Sequence, residues 1–303
     1  MSDIHLKSSG KAKKLFKKAL YAPKLPIQTI SSNYDAFFYS PYIPNRVDVS
    51  TKEIAGISVD VLNPELAITG RVMLYAHGGS FISGSKKASR TLCALIAHQA
   101  GAKLFLPDYA LAPEHPFPAA LENLYTVYAS LIDKFGFSPS NIILSGDGAG
   151  GGLALALVHY LHEKKIVKPA GLALISPWAD LTVENMVKQA YGKKDPLFTK
   201  DIFHNCALQY TYSNNLKNPL VSPLFGNFSD FPPVFIQCGQ LEMLSADASE
   251  IVKKIEAAGG SAEFDIWENR WHLFQAMEDF VPDAHLAIEK LGAWIKKLFK
   301  DNE

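Results

Sequence analysis

The sequence predicts an α/β fold: a mostly parallel central sheet flanked by helices, carrying a helical cover. Three observations lead there. Short apolar or alternating runs at Val72–Ala76, Lys103–Pro107, Ile142–Leu144, Leu172–Ile175, Val234–Cys238 and Glu263–Trp267 are separated by segments of helical period. Strands alternating with helices imply parallel pairing through crossover helices. Apolar residues make up 48% of the 303 and charged residues 20%, enough to fill a large core. Finally, Ile142–Gly152 reads I-I-L-S-G-D-G-A-G-G-G and runs on into the apolar L-A-L-A-L-V-H-Y-L. A short buried strand there turns through glycines into a helix whose first residues are tiny. Gly146 and Gly150 are expected where strand and helix close on each other and leave no room for a side chain.

Composition excludes several roles. Thirty basic and thirty acidic residues cancel, so no basic field is present to hold nucleic acid. Cys93, Cys206 and Cys238 are odd in number and scattered without metal-ligand spacing, and are read as reduced, mostly buried thiols. No run approaches the length of a membrane span, and no secretory apolar region follows Met1. A soluble, cytoplasmic protein without a metal site is expected.

Along the chain, the lysine-rich Lys7–Lys24 places Leu6, Leu15, Phe16, Ala19 and Leu20 at helical spacing. Such a helix could lie on an anionic membrane; a covering helix with its lysines in water is preferred for a net-neutral chain. Pro23, Pro26, Pro41 and Pro44 then predict a loop leading into the core. Val47–Ser50 and Ile54–Val61 alternate as a pair of half-exposed strands, read as an antiparallel hairpin at the sheet edge.

His77-Gly78-Gly79-Ser80-Phe81 follows the Val72–Ala76 strand directly. Its two glycines let backbone N–H groups approach a ligand, as the donors of an oxyanion hole must. Ser80 is a poor nucleophile candidate, having no base nearby in the sequence. Asp108–Glu122 is a proline-fixed loop running into a helix that begins near Phe117 or Pro118. His115 within it is read as a hydrogen-bonding structural residue. After Asp180, helical periodicity over Val183–Ala190, Pro196–Phe203 and Ile202–Tyr212 brings Tyr191, Phe198, Phe203, Tyr210 and Tyr212 into an aromatic insertion.

Two carboxylates, Glu242 and Asp247, follow the Val234–Cys238 strand, and either could orient a histidine base. Glu242 is preferred because it lies nearer the strand end, while Asp247 can begin or cap the next helix. His272 follows the last strand, in W-H-L-F, ahead of an amphipathic helix over Ala284–Phe299. The stretch around Gly148 fits the strand–sharp turn–helix pattern G-x-S-x-G of a nucleophile elbow, with glycine at the central position. The order elbow, acid, histidine is the one that fold requires.

Together, H-G-G-S-F, D-Y-A-L-A-P-E-H-P-F-P-A-A-L and G-D-G-A-G-G, with S-P-W-A-D-L and P-L-V-S-P-L later, resemble the hormone-sensitive-lipase-like family of α/β-hydrolases. Bacterial carboxylesterases of that family are the nearest match, and the resemblance spans about residues 45–300. It implies an α/β-hydrolase core, a two-part helical cap, a Ser–acid–His triad and no cofactor. The expected division is cap segment 1–45, core 46–182, cap insertion 183–215 and core 216–303. Glu242 and His272 take the triad's acid and base positions, and Gly78, Gly79 and Ala149 the oxyanion donors. Two departures stand out. Ala110 occupies the arginine position of Y-R-L-A-P-E, and Gly148 occupies the position of the serine. The expected function is hydrolysis of short- to medium-chain acyl esters, in a form left inactive by Gly148. The alternatives are a non-catalytic relative that binds or senses a small acyl ligand, and slow hydrolysis by water activated by His272. Homodimerisation through an exposed edge at Glu263–Trp267 is a further expectation.

Overall fold

The computed structural model describes residues 10, 14, 27–44, 46–186, 195–278 and 280–301. Among these, eight strands form one sheet in the order β1-β2-β4-β3-β5-β6-β7-β8. The strands are β1 (Val47–Ile54), β2 (Ile57–Pro64), β3 (Val72–Ala76), β4 (Lys103–Pro107), β5 (Ile142–Asp147), β6 (Gly171–Ile175), β7 (Val234–Gly239) and β8 (Ala262–Trp267). β2 runs antiparallel to both β1 and β4, and every pairing from β4 to β8 is parallel. The anticipated strands are all present, and the first two form the expected edge hairpin.

The helices are α1 (Ile27–Phe38), α2 (Lys86–Ala100), α3 (Ala119–Asp133), α4 (Ala149–Glu163), α5 (Lys200–Tyr210), α6 (Ser245–Ala257) and α7 (Asp283–Asp301). They cover both faces of the sheet, which is why β3, β5, β6 and β7 are buried at every residue and read as unbroken apolar runs. Alternate strand residues feed two layers. Val72, Leu74 and Ala76 pack with Leu121 of α3, Leu153 of α4 and Ile251 of α6. Met73 and Tyr75 pack with Leu92 of α2 and Leu291 of α7.

From β3 the chain moves to β4 on one side, and β5 lies on the other side of β3. The carboxyl ends of β3 and β5 therefore border the crevice where the winding direction reverses, the place where open α/β sheets put their sites.

Some local expectations are corrected. The segment between Pro26 and Pro41 is the helix α1, not a loop. Both prolines lie outside it, and Ile30, Tyr34, Phe37 and Phe38 make a helical stripe with Tyr34 buried. The Lys7–Lys24 helix lies almost wholly outside the described residues, as do 187–190 and Tyr191. Val183–Met186 form turns instead of a helix, because the Asp180 carboxylate takes the N–H groups of Thr182 (2.9 Å) and Asn185 (3.0 Å). Helix α5 starts only at Lys200; before it, Asp195 accepts from Leu197 N–H and Phe198 N–H in a turn of its own. His115 is exposed, and its anchored group is the backbone N–H, bonded to Leu111 O at 2.8 Å. The three cysteines are buried and free, as expected.

Candidate active site

The tightest turn in the site joins β5 to α4. Gly148 has φ 51° and ψ −118°, a backbone state in which a side chain is strained. Its N–H donates to Ile175 O at 3.0 Å and its carbonyl accepts from Trp178 N–H at 2.8 Å, so the end of β6 and the loop after it hold the turn from both sides. Two residues on, the backbone of α4 presses so closely on β3 that a Cβ on Gly150 would lie 2.0 Å from Ala76 O. The sequence pattern G-x-x-x-G follows from this contact.

Neighbouring side chains turn away from the crevice. The Ser145 hydroxyl donates to Ala173 O at 2.5 Å. Asp147 points into the core, where it accepts from Tyr75 OH (2.8 Å) and from Gly78 N–H (2.9 Å). This corrects the reading of Gly78 as an oxyanion donor, since its N–H is committed to a buried carboxylate. Gly79, Ser80 and Ala149 remain, and all three line the small space around Gly148. The Ser80 side chain lies beside Cys206, not at the turn at Gly148 that the sequence pattern marks as the nucleophile position.

His272, from the loop after β8, brings its ring to that space. A Cβ placed on Gly148 would lie 3.4 Å from His272 Cε1 and 3.5 Å from Nε2. On its far side His272 Nδ1 meets Glu242 Oε2 at 2.9 Å. The other oxygen, Glu242 Oε1, accepts from Ser176 Oγ (2.7 Å) and Gly239 N–H (2.5 Å). A fully buried carboxylate with both oxygens bonded fixes the imidazole's orientation and leaves Nε2 facing Gly148. Asp247, the rival acid, sits elsewhere: it accepts from Ala179 N–H and Asp180 N–H, both at 2.9 Å, and from Asn185 Nδ2 at 3.1 Å. Burial, with the charge of Asp180, lifts its carboxyl to about 7.

The electrostatics favour a basic imidazole. Burial works against a charged His272, but its hydrogen bond to Glu242 and the charges of Glu242, Asp147 and Asp195 outweigh it and hold the group above its ordinary value. His77 shifts the other way, because its burial dominates.

The walls are apolar. Tyr34 of α1, Trp178 after β6, Phe198 and Phe203 of the β6–β7 insertion, and Leu244 after Glu242 enclose a cavity of about 10 Å³, room for roughly one water-sized group. The Phe198 ring stands edge-on to His272, with centroids 5.2 Å apart at 78°. No group of His, Cys, Asp and Glu among the described residues is arranged to hold a metal.

Gly148, Ala149, Gly79, Glu242 and His272 are thus brought together as the sequence suggested. Ser176, Asp195 and Tyr34 were missed. Ser176 lay in plain view at the end of a strand, within S-P-W-A-D-L. For Tyr34 no local signal exists; Asp195 has a local one in the turn it makes with Leu197 and Phe198, but its bond to Met243 N–H, 48 residues away, has none.

Comparison with known proteins agrees with this geometry. Residues 73–276 match a family model described as the alpha/beta hydrolase fold. The chain is 36% identical over 243 residues to the putative acetyl-hydrolase LipR of Mycobacterium tuberculosis, covering 80% of this chain and 78% of that protein. An esterase of Acinetobacter venetianus is 30% identical over 257 residues, covering 84% of each. Among solved structures, an esterase from the bacterial hormone-sensitive lipase family superposes with a TM-score of 0.91 at 28% identity, covering 97% of this chain and 98% of that one.

Proposed function

Since the chain belongs to the hormone-sensitive-lipase-like family of α/β-hydrolases, we propose that it is a carboxylic-ester hydrolase scaffold for short- to medium-chain acyl esters from which only the attacking atom is missing. The observation that carries this reading is the His272 Nε2 group, held by Glu242 and aimed at the Cβ position of Gly148. A serine there would put Oγ within reach of that nitrogen. Attack of Oγ on an ester carbonyl carbon would send the serine proton to Nε2. The developing oxyanion would face the N–H groups of Gly79 and Ala149, and the imidazolium would then protonate the departing alcohol.

Helix α1 and the insertion between β6 and β7 act in this reading as the two parts of a cap. Their aromatic rings exclude water and bound the acyl group. The small cavity favours the short end of the acyl range. The chain works without a cofactor and in the cytoplasm, and its exposed edge strand β8, with Ile266 on the surface, supports pairing with a second copy.

The deciding experiment is Gly148→Ser assayed on p-nitrophenyl acetate and butyrate. In serine hydrolases loss of the nucleophile lowers kcat by roughly a million-fold. Gain of several orders of magnitude is therefore expected. A folded but inert Gly148→Ser protein would overturn the esterase reading. It would leave the second one, a non-catalytic module that binds a small acyl compound. Gly148 itself favours that second reading, and equilibrium binding of acyl esters to the unaltered chain tests it directly.

A further inference from the structure

The loop carrying Glu242 and the insertion covering His272 share one carboxylate. Asp195 Oδ2 accepts from Met243 N–H at 2.9 Å, the residue immediately after Glu242. Its other oxygen accepts from Leu197 N–H (2.8 Å) and Phe198 N–H (3.0 Å), fixing the turn that sets the Phe198 ring against His272. Phe198 in turn stacks on Phe203 with centroids 4.9 Å apart, and Phe203 packs tilted against Trp178 at 5.0 Å. The carboxylate thus reaches three backbone donors in two segments 48 residues apart. Three N–H donors converging on one carboxylate fix both segments more tightly than a lone contact could.

We propose that Asp195 is a positioning residue for the reaction argued above: it seats the cap aromatic Phe198 on the imidazole of His272 and, through Met243, holds the loop that presents Glu242 to the same imidazole. The placing of the cover and the alignment of the base then depend on one carboxylate. A displaced insertion would loosen the wall of the acyl cavity and the acid–base pair together. The inference rests on the esterase reading for its catalytic meaning, but the coupling itself is a property of the chain as it stands.

Charge gives the coupling a readout that a merely structural tie lacks. The acidic charges acting on His272 come from three elements: Glu242 of the β7–α6 loop, which contacts the ring, and, without contact, Asp147 at the end of β5 and Asp195 of the insertion. Each favours the imidazolium. For Asp195 itself, burial and the neighbouring Glu242 charge raise the carboxyl, against the three N–H bonds that favour the ionised form.

The test begins with the unaltered Gly148 chain. The His272 ring resonances are assigned by their loss in His272→Gln and followed by NMR against pH. Asp195→Asn removes the charge and part of the acceptor capacity. The His272 midpoint is expected to fall, and the Phe198 ring resonances to shift. Asp195→Glu restores the charge, so the midpoint is expected to return toward that of the parent. A folded Asp195→Asn protein with an unmoved His272 midpoint would overturn the proposal. Should Asp195→Asn fail to fold, Asp195→Glu carries the test through geometry: its longer side chain is expected to move the Phe198 ring resonances while the His272 midpoint stays near the parent's, and an unmoved Phe198 ring there would overturn the proposal.

In a Gly148→Ser background, Asp195→Asn is expected to lower kcat/KM by about ten- to a hundredfold through kcat, with its acid limb displaced to lower pH. A loss confined to KM, with the limb in place, would make Asp195 a structural tie only. If Gly148→Ser is inert while the His272 midpoint still responds to Asp195, the esterase reading fails and the coupling stands. If Gly148→Ser is active and Asp195→Asn leaves midpoint and limb unchanged, the coupling alone fails.

Discussion

The elbow and the aromatic cover meet at Gly148, yet they are held by different forces. At the elbow, backbone touches backbone. Gly148 is bonded to the end of β6 through its N–H and to Trp178 of the following loop through its carbonyl, and a Cβ on Gly146 would lie 2.6 Å from Ala76 O. At the cover, rings touch rings: Phe81 stacks on Tyr210 at 3.9 Å, and Phe198 stands against His272 at 5.2 Å. Backbone carbonyls packed that closely cannot yield to an added methyl group, whereas side chains can repack into new rotamers. The elbow glycines pressed on β3, Gly146 and Gly150, should therefore respond to substitution in all-or-none fashion, and the cover by degrees.

The largest effect tests the elbow chemically. In the Gly148→Ser protein, His272→Ala is expected to remove most of the several orders of magnitude gained, and Glu242→Gln to cut the rate severely. Rates on p-nitrophenyl butyrate decide this. Persistence of full activity without His272 would mean that another group serves as base.

The pH profile sharpens the same point. An imidazolium cannot accept the serine proton, so kcat/KM should rise with pH through the folded-state value of His272. Because that value is held above the ordinary imidazole one by Glu242, Asp147 and Asp195 against the effect of burial, the acid limb should lie above the ordinary histidine value. Glu242→Gln should move the limb to lower pH. A limb below the ordinary value in the restored enzyme would contradict the electrostatic picture.

Sterically, Gly150→Ala sets a Cβ 2.0 Å from Ala76 O. We expect a loss of more than about 3 kcal/mol in urea unfolding, or failure to fold. Phe198→Ala in the cover should cost about 3 kcal/mol or less, since its cavity opens beside the site instead of in the sheet. In the restored enzyme it should shift preference toward longer acyl chains, read as the ratio of kcat/KM on octanoate and acetate esters. An unchanged ratio would show that Phe198 does not bound the acyl group.

The smallest effect concerns Gly148 alone. At φ 51° glycine is at no disadvantage, while serine there is strained. Gly148→Ser should melt slightly lower, by about 1 kcal/mol in stability. A clearly higher melting temperature would mean that the elbow relaxes once a side chain is present.

The two regions also differ in how far they could be read from the chain alone. The β-strands of the core, the turn at Gly148 and the placing of His272 after the last strand follow from local rules. Buried parallel strands are apolar throughout, and a backbone crossing without space admits only glycine, so Ile142–Gly152 carries its own geometry in its letters. Glu242 was separable from Asp247 by position relative to a strand end, which is also local information. The Gly78 N–H, by contrast, was legible as a donor but not as one already bonded, because its partner Asp147 lies 69 residues away. The same holds for Tyr34, brought to the site by a helix that prolines disguised as a loop. It holds again for Asp195, whose turn with Leu197 and Phe198 is local but whose partner Met243 arrives only after the insertion has folded back over the sheet. The sequence by itself determined which backbone turns could form and which residue types stood at them. Tertiary structure decided which polar groups remained free, because a hydrogen bond between distant segments exists only once packing has brought donor and acceptor within about 3 Å of each other.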